Sequence, residues 1–399
     1  MALLALLLLP GLLVVRSPWW AVPFLSLSYW WASWAWLAPA GPGRLFFLQA
    51  SLAVFGLLLL LRLLRLEGVS RPGLPTLLAS LAALAGFLAL AGVALPVDPD
   101  LSFHALVARL LTWRDGIPGS FAPLLVPVSL RTHAPGLPFM VADAALLSGD
   151  EPYRLTLLGA GVGPGLLVLG AFAASKRWLD PWQAAALAVV TALAGILASP
   201  PAGASVLLAS AFSLAALTLL RRPLSNARAL SVGAFLGGAV LADLRGWLLA
   251  AGLLLIGLLR LAGAPADRRL LIRKAAGLGL LSGLLVAGPL CWRLAPAPFL
   301  GRAFPPAQVT VTSDDFEAMT WLSQHALPLD VVCIEPGGTG IWIPAVAGRA
   351  VSAPHMPLYL RSAGGGGGAP GPCTVEYGQG LPACPRLLYL RNSVYLCAL

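Results

Sequence analysis

The chain predicts a mainly α protein, a polytopic transmembrane helical bundle of about ten helices followed by a small C-terminal extracytoplasmic α/β domain. Three observations predict it. Hydrophobic residues make up 58% of the 399 positions and charged residues 11%, far from the roughly 25% charged composition of a soluble domain, and the mean hydropathy is +0.85. Apolar runs approaching the about 20 residues needed to cross a bilayer recur down most of the sequence, so a single secretory leader does not account for them. After Arg293 the composition shifts to strand and helix-cap signals.

Taken in order, the apolar runs are 3–15, 19–38, 45–61, 74–95, 155–174, 182–197, 204–220, 229–242, 247–259 and 275–290. The first, followed by Arg16, reads equally as a signal anchor or a tilted helix. Residues 1–73 form additional N-terminal transmembrane helices, 74–295 a transmembrane core with an extracytoplasmic loop at 96–152, and 296–399 the α/β domain. The net charge of +10 would suggest nucleic acid if it were gathered on a soluble face. Instead the basic residues stand in short groups between apolar runs: Arg62, Arg65 and Arg71; Lys176 and Arg177; Arg221, Arg222 and Arg228; Arg260, Arg268, Arg269, Arg273 and Lys274. These mark cytoplasmic turns, and no nucleic-acid partner is expected. Alternating sides through the spans then places both the 96–152 loop and everything after Ala295 outside the cytoplasm of an inner, multi-pass membrane protein.

The 96–152 loop holds six of the 16 acidic residues: Asp98, Asp100, Asp115, Asp143, Asp150 and Glu151. Its stretch 101–113 has helical spacing beside Arg109 and Arg114 and reads as a helix lying on the membrane surface. The apolar piece 137–147 is too short to span and contains Asp143, which favours a re-entrant or interfacial segment. In the tail, 309–312 and 330–335 read as strands, 313–322 as a capped helix with acids in its first turn, 387–390 and 394–398 as strands joined by a turn at 391–393, and Gly364–Gly368 as a flexible insertion.

Asp98 and Asp100 lie just past an apolar run, with Pro99 between them biasing Asp98 away from helix. One reading makes one carboxylate a general base and the other its orienter or a cation ligand, with His104 one helical turn beyond. The other has two acids solvating a helix end. The run Asp98-Pro-Asp100-Leu-Ser-Phe-His104, then Arg114-Asp-Gly-Ile-Pro118, Thr132-His-Ala-Pro-Gly136, Glu317-Ala-Met-Thr-Trp-Leu322, Gly340-Ile-Trp-Ile-Pro344 and Ala347-Gly-Arg349 resembles the C-type (GT-C) membrane glycosyltransferases, in particular their bacterial and archaeal members. The resemblance implies a sugar donor on a polyprenyl phosphate, an acceptor that is a glycan, lipid or protein, and an acidic motif serving the site from the first large extracytoplasmic loop. Asp98 or Asp100 would then take the proton of the acceptor hydroxyl, with inversion. The family commonly starts with one helix before that loop, where this chain has three additional apolar runs.

A departing phosphate calls for a cation. Arg245, in the charged break Asp243-Leu-Arg-Gly246, is the candidate, or else it pairs with Asp243 to cap two helices; Arg302 is a second, or else an interfacial anchor. His104 and His133 read as substrate contacts or as ordinary polar-face residues. Their spacing does not suit zinc, whereas Mg²⁺ or Mn²⁺ on Asp98 and Asp100 fits carboxylate chemistry; several branches of the superfamily work without metal. The tryptophans 19, 20, 30, 31, 34 and 36 read as interfacial anchors rather than a sugar-stacking surface. Gly337-Gly338-Thr339-Gly340 lacks the Lys-Ser/Thr of a phosphate loop and reads as a turn. Cys373 and Cys384 flank a Gly/Pro-rich loop on the oxidising side, where a disulfide between them is permitted. A transporter is a rival reading, although transporters carry ionisable groups within their spans and these spans are uncharged. A non-catalytic scaffold or accessory subunit is the other.

Overall fold

The computed structural model describes residues 1–14, 19–37, 42–64, 73–90, 99–113, 135–176, 178–197, 204–220, 226–243, 252, 276–286, 311–335, 338–352, 372–380, 382, 384 and 386–399. Helices dominate this part of the chain. Pro10 splits the first apolar run into α1 (Ala2–Leu8) and α2 (Gly11–Val14). The carbonyls freed at the break are not wasted: the indole of Trp30 donates to Leu6 O at 3.1 Å and Leu9 O at 2.7 Å. Next come α3 (Val22–Leu37), α4 (Pro42–Leu64), α5 (Leu74–Leu90), α6 (Pro99–Trp113), α7 (Gly136–Ser148), α8 (Pro152–Gly159), α9 (Val162–Ser175), α10 (Pro181–Leu197), α11 (Ala204–Leu220) and α12 (Asn226–Ala242), and α13 (Ala276–Val286).

Among the described residues two stretches are long and apolar enough to cross a membrane, Gly43–Leu61, nearly bare along its length, and Pro152–Ser175, mostly covered by protein. The second is the expected 155–174 run, bent at Ala160–Gly161. A side chain at Gly161 would meet Phe87 O at 2.4 Å, so only glycine lets α5 come this close at the bend.

Helices α9, α11 and α12 pack in succession, and α5 and α10 pack on α9. Helix α3 lies against α12 and α7, and its aromatic residues build the centre of the core. Phe24 meets Phe212 and Phe235 at 5.1 and 5.5 Å, and Trp31 meets Phe212 at 5.2 Å. The interfacial reading of the tryptophan cluster is therefore corrected for Trp20, Trp30, Trp31 and Trp34, which are buried; Trp36 alone of the described members is exposed. The reason is that α3 is enclosed, and each aromatic edge finds a partner inside the protein.

Glycines set the closest crossing. Gly233 and Gly237 on α12 face Gly279 and Gly283 on α13, and a Cβ on Gly233 would lie 1.8 Å from Gly279 O. Two small-xxx-small pairs thus bring two backbones together, the packing that membrane helices use where lipid supplies no hydrophobic drive. Elsewhere the leucines of α4, α5 and α13, among them Leu57, Leu60, Leu77, Leu81, Leu84, Leu280 and Leu284, point outward.

The tail folds as an α/β unit. Helix α14 (Ser313–His325) precedes β1 (Val331–Cys333), a short helix α15 (Ile343–Val346), β2 (Ala350–Val351), β3 (Val375–Gln379), β4 (Arg386–Arg391) and β5 (Val394–Ala398). The sheet order is β2-β1-β3-β5-β4, with β1 parallel to β2 and β3 and the rest antiparallel. The expected capped helix is present: Thr312 and Asp315 form a reciprocal capping box. Residues 311–312 lead into that cap rather than forming a strand, and β3 is a strand the sequence reading omitted. The pairing of Cys373 with Cys384 is corrected. Cys373 is bonded to Cys333 and Cys384 to Cys397, because β1 and β3 are neighbours and β4, which follows Cys384, pairs with β5, which carries Cys397.

Candidate functional site

Helix α6 is the element on which the candidate site turns. It begins at Pro99, a residue well suited to a first helical position, so Asp100 stands in its first turn and His104 one turn further. Asp98, His133, Arg245 and Arg302 lie outside the described residues, as does the Gly364–Gly368 insertion. The structure thus places Asp100 and His104 on one helix. Among the described residues no group of three or more His, Cys, Asp and Glu is arranged to hold a metal.

The expectation of a surface helix at 101–113 is corrected. Residues 101–108 are all buried, and α6 packs against α7 and α8 on one side and against α15 and the 339–342 turn of the C-terminal domain on the other. His104 has no exposed surface, and burial pushes its imidazole pKa down to about 3. It is neutral at physiological pH, and in this conformation it presents nothing to solvent.

Among the described residues, Arg109 of α6 and Tyr153 of α8 join these helices to the C-terminal domain. Arg109 Nη1 donates to Ala345 O at 2.7 Å and also to Val346 O, the last carbonyls of α15, which a cation satisfies well. Its guanidinium lies 4.5 Å over the Trp113 ring. Burial lowers the Arg109 pKa, opposed by Glu151 nearby. Tyr153 of α8 stacks on Phe316 of α14 at 5.5 Å, and Phe316 in turn meets Trp342 edge-on at 5.8 Å.

Helix α7 is held from the opposite side by a buried ion pair that the sequence reading missed. Arg44, at the start of α4, is 2% exposed and Asp143 is 0% exposed. Arg44 Nε donates to Asp143 Oδ1 at 2.9 Å and Nη2 to Oδ2 at 2.6 Å, a forked pair. Trp34 Nε1 adds a bond to Oδ1 at 2.8 Å, and Arg44 Nη1 donates to Ser33 Oγ at 3.0 Å. The Trp34 ring, stacked 5.0 Å from Phe139, also carries the guanidinium 4.3 Å from its centroid. The signals in the sequence were an acid inside an apolar run and an arginine just before one, 99 residues apart.

A second buried carboxylate organises the C-terminal domain. Asp315 Oδ2 accepts from Thr312 N at 2.7 Å and Thr312 Oγ1 at 2.6 Å, while Oδ1 accepts from Thr339, Gln379 and the Tyr377 hydroxyl. Burial opposes its ionisation, but the bonds from Thr312, Tyr377 and Gln379 outweigh that and hold its pKa below the ordinary carboxylate value. Burial and the adjacent Asp315 push the Tyr377 phenol up. Every oxygen of this carboxylate is satisfied from within the domain, so its chemistry is that of a structural hub joining a helix cap, the Gly338–Gly340 turn and β3. No protein-family model matches the chain, and neither a characterised protein nor a solved structure matches it.

Proposed function

We propose that the chain is an inner-membrane, multi-pass glycosyltransferase that moves a sugar from a polyprenyl-phosphate-linked donor to an extracytoplasmic acceptor with inversion. The observation that carries the reading is the setting of α6. Helix α6, which begins at Pro99 and carries Asp100, is wedged between helices α7 and α8 and a disulfide-bonded α/β domain. An acidic motif at such a junction would have a lipid-borne donor on one side and a water-borne acceptor on the other.

Membrane residence is supported by the outward-facing leucines of α4, α5 and α13 and by the glycine-paired crossing of α12 and α13. Trp178 and Trp182 are exposed beside Lys176 at the turn between α9 and α10, where amphipathic rings and a basic residue suit a cytoplasmic membrane interface. Two disulfides in the tail suit an oxidising compartment and so its extracytoplasmic side.

In the reaction, Asp98 or Asp100 accepts the proton of the acceptor hydroxyl while that oxygen attacks the anomeric carbon. The bond from that carbon to the lipid phosphate oxygen breaks on the opposite face, and the electron pair leaves with the polyprenyl phosphate. A phosphate is already a good leaving group, so no dedicated general acid is required. The test is transfer of a radiolabelled sugar from polyprenyl-phosphate donors by membranes holding the full chain with Asp98→Asn or Asp100→Asn. Loss of a general base should reduce kcat by about 10²- to 10⁴-fold in one of the two; undiminished transfer in both overturns the assignment.

A further inference from the structure

We propose that Arg109 is a positioning residue of the transfer site: it ties the acid-bearing helix α6 to the C-terminal domain, so that the domain sets where the acidic motif stands. The proposal rests on the reading of Asp98 and Asp100 as the source of the base. Arg109 follows Asp100 by nine residues, a separation of about 13–14 Å along a helix at 1.5 Å per residue. It acts on the acids only through the rigid helix between them.

The anchorage is built from both sides. Arg109 reaches out of α6 to two carbonyls at the end of α15, and its guanidinium is braced by the Trp113 ring one turn on. From the domain, Gly348 brings its backbone against the same two side chains. It adopts φ 65°, and a Cβ there would lie 2.5 Å from Trp113 Cη2 and 3.1 Å from Arg109 Nη2. A left-handed glycine is what allows this approach, since both the conformation and the space refuse a side chain. With α7 and α8 covering one flank of α6, the 339–348 segment supplies the other.

A simple alternative is that Arg109 caps α15 and nothing more. The two differ in where a substitution is felt. Loss of a cap weakens the domain; loss of an anchor lets α6 shift, and a displacement of about 1 Å at reacting groups costs on the order of a hundredfold in rate. Both carbonyls bond one nitrogen, Nη1, while the planar guanidinium stacks over the Trp113 ring, and it is this stacking that a compact ammonium does not reproduce.

The experiment compares the full chain with Arg109→Met and Arg109→Lys in detergent or nanodiscs, measuring sugar transfer and hydrogen exchange on the same preparations. Arg109→Met should lower kcat about tenfold to a hundredfold while donor KM changes less than about twofold. Arg109→Lys should fall between that variant and the parent, and it carries the test alone if methionine does not fold. Amides of 99–113 should exchange faster while those of β3 and β5 do not. An unchanged kcat beside an active parent overturns the proposal, and so does a uniform loss of protection across the sheet. If the parent transfers no sugar, the reading of the base fails by itself and exchange still decides the anchor: unchanged protection over 99–113 refutes it, and a loss confined there sustains it.

Discussion

Asp143→Asn should destabilise the protein more than Arg44→Met, although both break the same ion pair. The pair is fully desolvated and forked, and removing one member of such a pair costs about 3–5 kcal/mol because the other charge is left stranded. The two stranded groups have different ways out. In Arg44→Met the carboxylate keeps one donor, Trp34 Nε1, and can discard its charge by taking a proton. From an ordinary carboxyl value that step costs about 4 kcal/mol at pH 7, three pH units at about 1.4 kcal/mol each. That figure is a ceiling. In Asp143→Asn the guanidinium cannot discard its charge, since arginine stays protonated at any accessible pH. It retains Ser33 Oγ and the Trp34 ring, neither of which neutralises it.

Unfolding in mixed micelles, followed by tryptophan emission, gives the comparison, because Trp34 touches both members of the pair. Between pH 7 and pH 5 the penalty of Arg44→Met should shrink by roughly 1.4 kcal/mol per pH unit, whereas that of Asp143→Asn should hold steady. The double change Arg44→Met with Asp143→Leu should return to within about 1 kcal/mol of the parent, or exceed it, since apolar replacements of buried pairs are often neutral or stabilising. Single changes that each cost less than about 1 kcal/mol, the range of solvated ion pairs, would refute the burial argument. A larger penalty for Arg44→Met than for Asp143→Asn would refute the asymmetry.

Two further outcomes can be read in the same assay. Gly233→Val places a side chain where Gly279 O stands 1.8 Å from the Cβ position, so it should cost at least about 3 kcal/mol, while Gly277→Ala, with open space around its Cβ, should be neutral or stabilising by up to about 1 kcal/mol; equal effects would contradict the α12–α13 crossing. His104 has a folded pKa of about 3 against 6.5 unfolded, so below pH 6.5 only the unfolded chain takes the proton and stability should fall with pH by up to about 1.4 kcal/mol per unit; the same slope in His104→Gln would contradict its burial.

Local signals carried well from sequence to structure. Ser313 to Leu322 declared a helix through its acids and capping residues, and Thr312 and Asp315 cap it. The strands expected at 330–335, 387–390 and 394–398 from β-branched and aromatic runs closed by turn residues are present as 331–333, 386–391 and 394–398, with Asn392 at the turn in positive φ. What sequence could not resolve was who faces whom. Trp30 and Trp34 have the composition of interfacial anchors, yet each indole N–H finds a buried acceptor, and only the packing of α3 on α7 and α12 decides between those fates. Asp143 looked like a mark of an interfacial segment because its partner is 99 residues away. The disulfides were mispaired for a related reason. Without β3 in view, nothing set Cys373 beside Cys333, and the permitted pair was the two cysteines flanking one Gly/Pro-rich loop. For the candidate site, helical spacing correctly set Asp100 and His104 one turn apart on a helix, but it could not show that the C-terminal domain would cover that helix.

A common rule underlies the three arginines that hold these pieces together. The chain has 26 basic residues and 16 acidic ones, so carboxylates are scarce partners for any cation drawn inward. Arg44 meets a carboxylate, whereas Arg109 meets the carbonyls that end α15 and Arg349 those that end α14, at Ser323 O and Ala326 O. Helix C-termini carry about half a negative charge through their unpaired carbonyls, so they serve as counter-charges that use no acidic residue. Arg109 and Arg349 converge on the same short turn, since Arg349 Nη1 also donates to Ala347 O. Two cations brought close repel: burial first, and then Arg349, lowers the Arg109 pKa, with Glu151 opposing both. The arrangement holds because both guanidinium groups are fixed by carbonyls at separate helix ends, α15 for one and α14 for the other. The turn at 345–349 is thereby tied to both helices, to α6 through the carbonyls that Arg109 bonds and to α14 through Arg349.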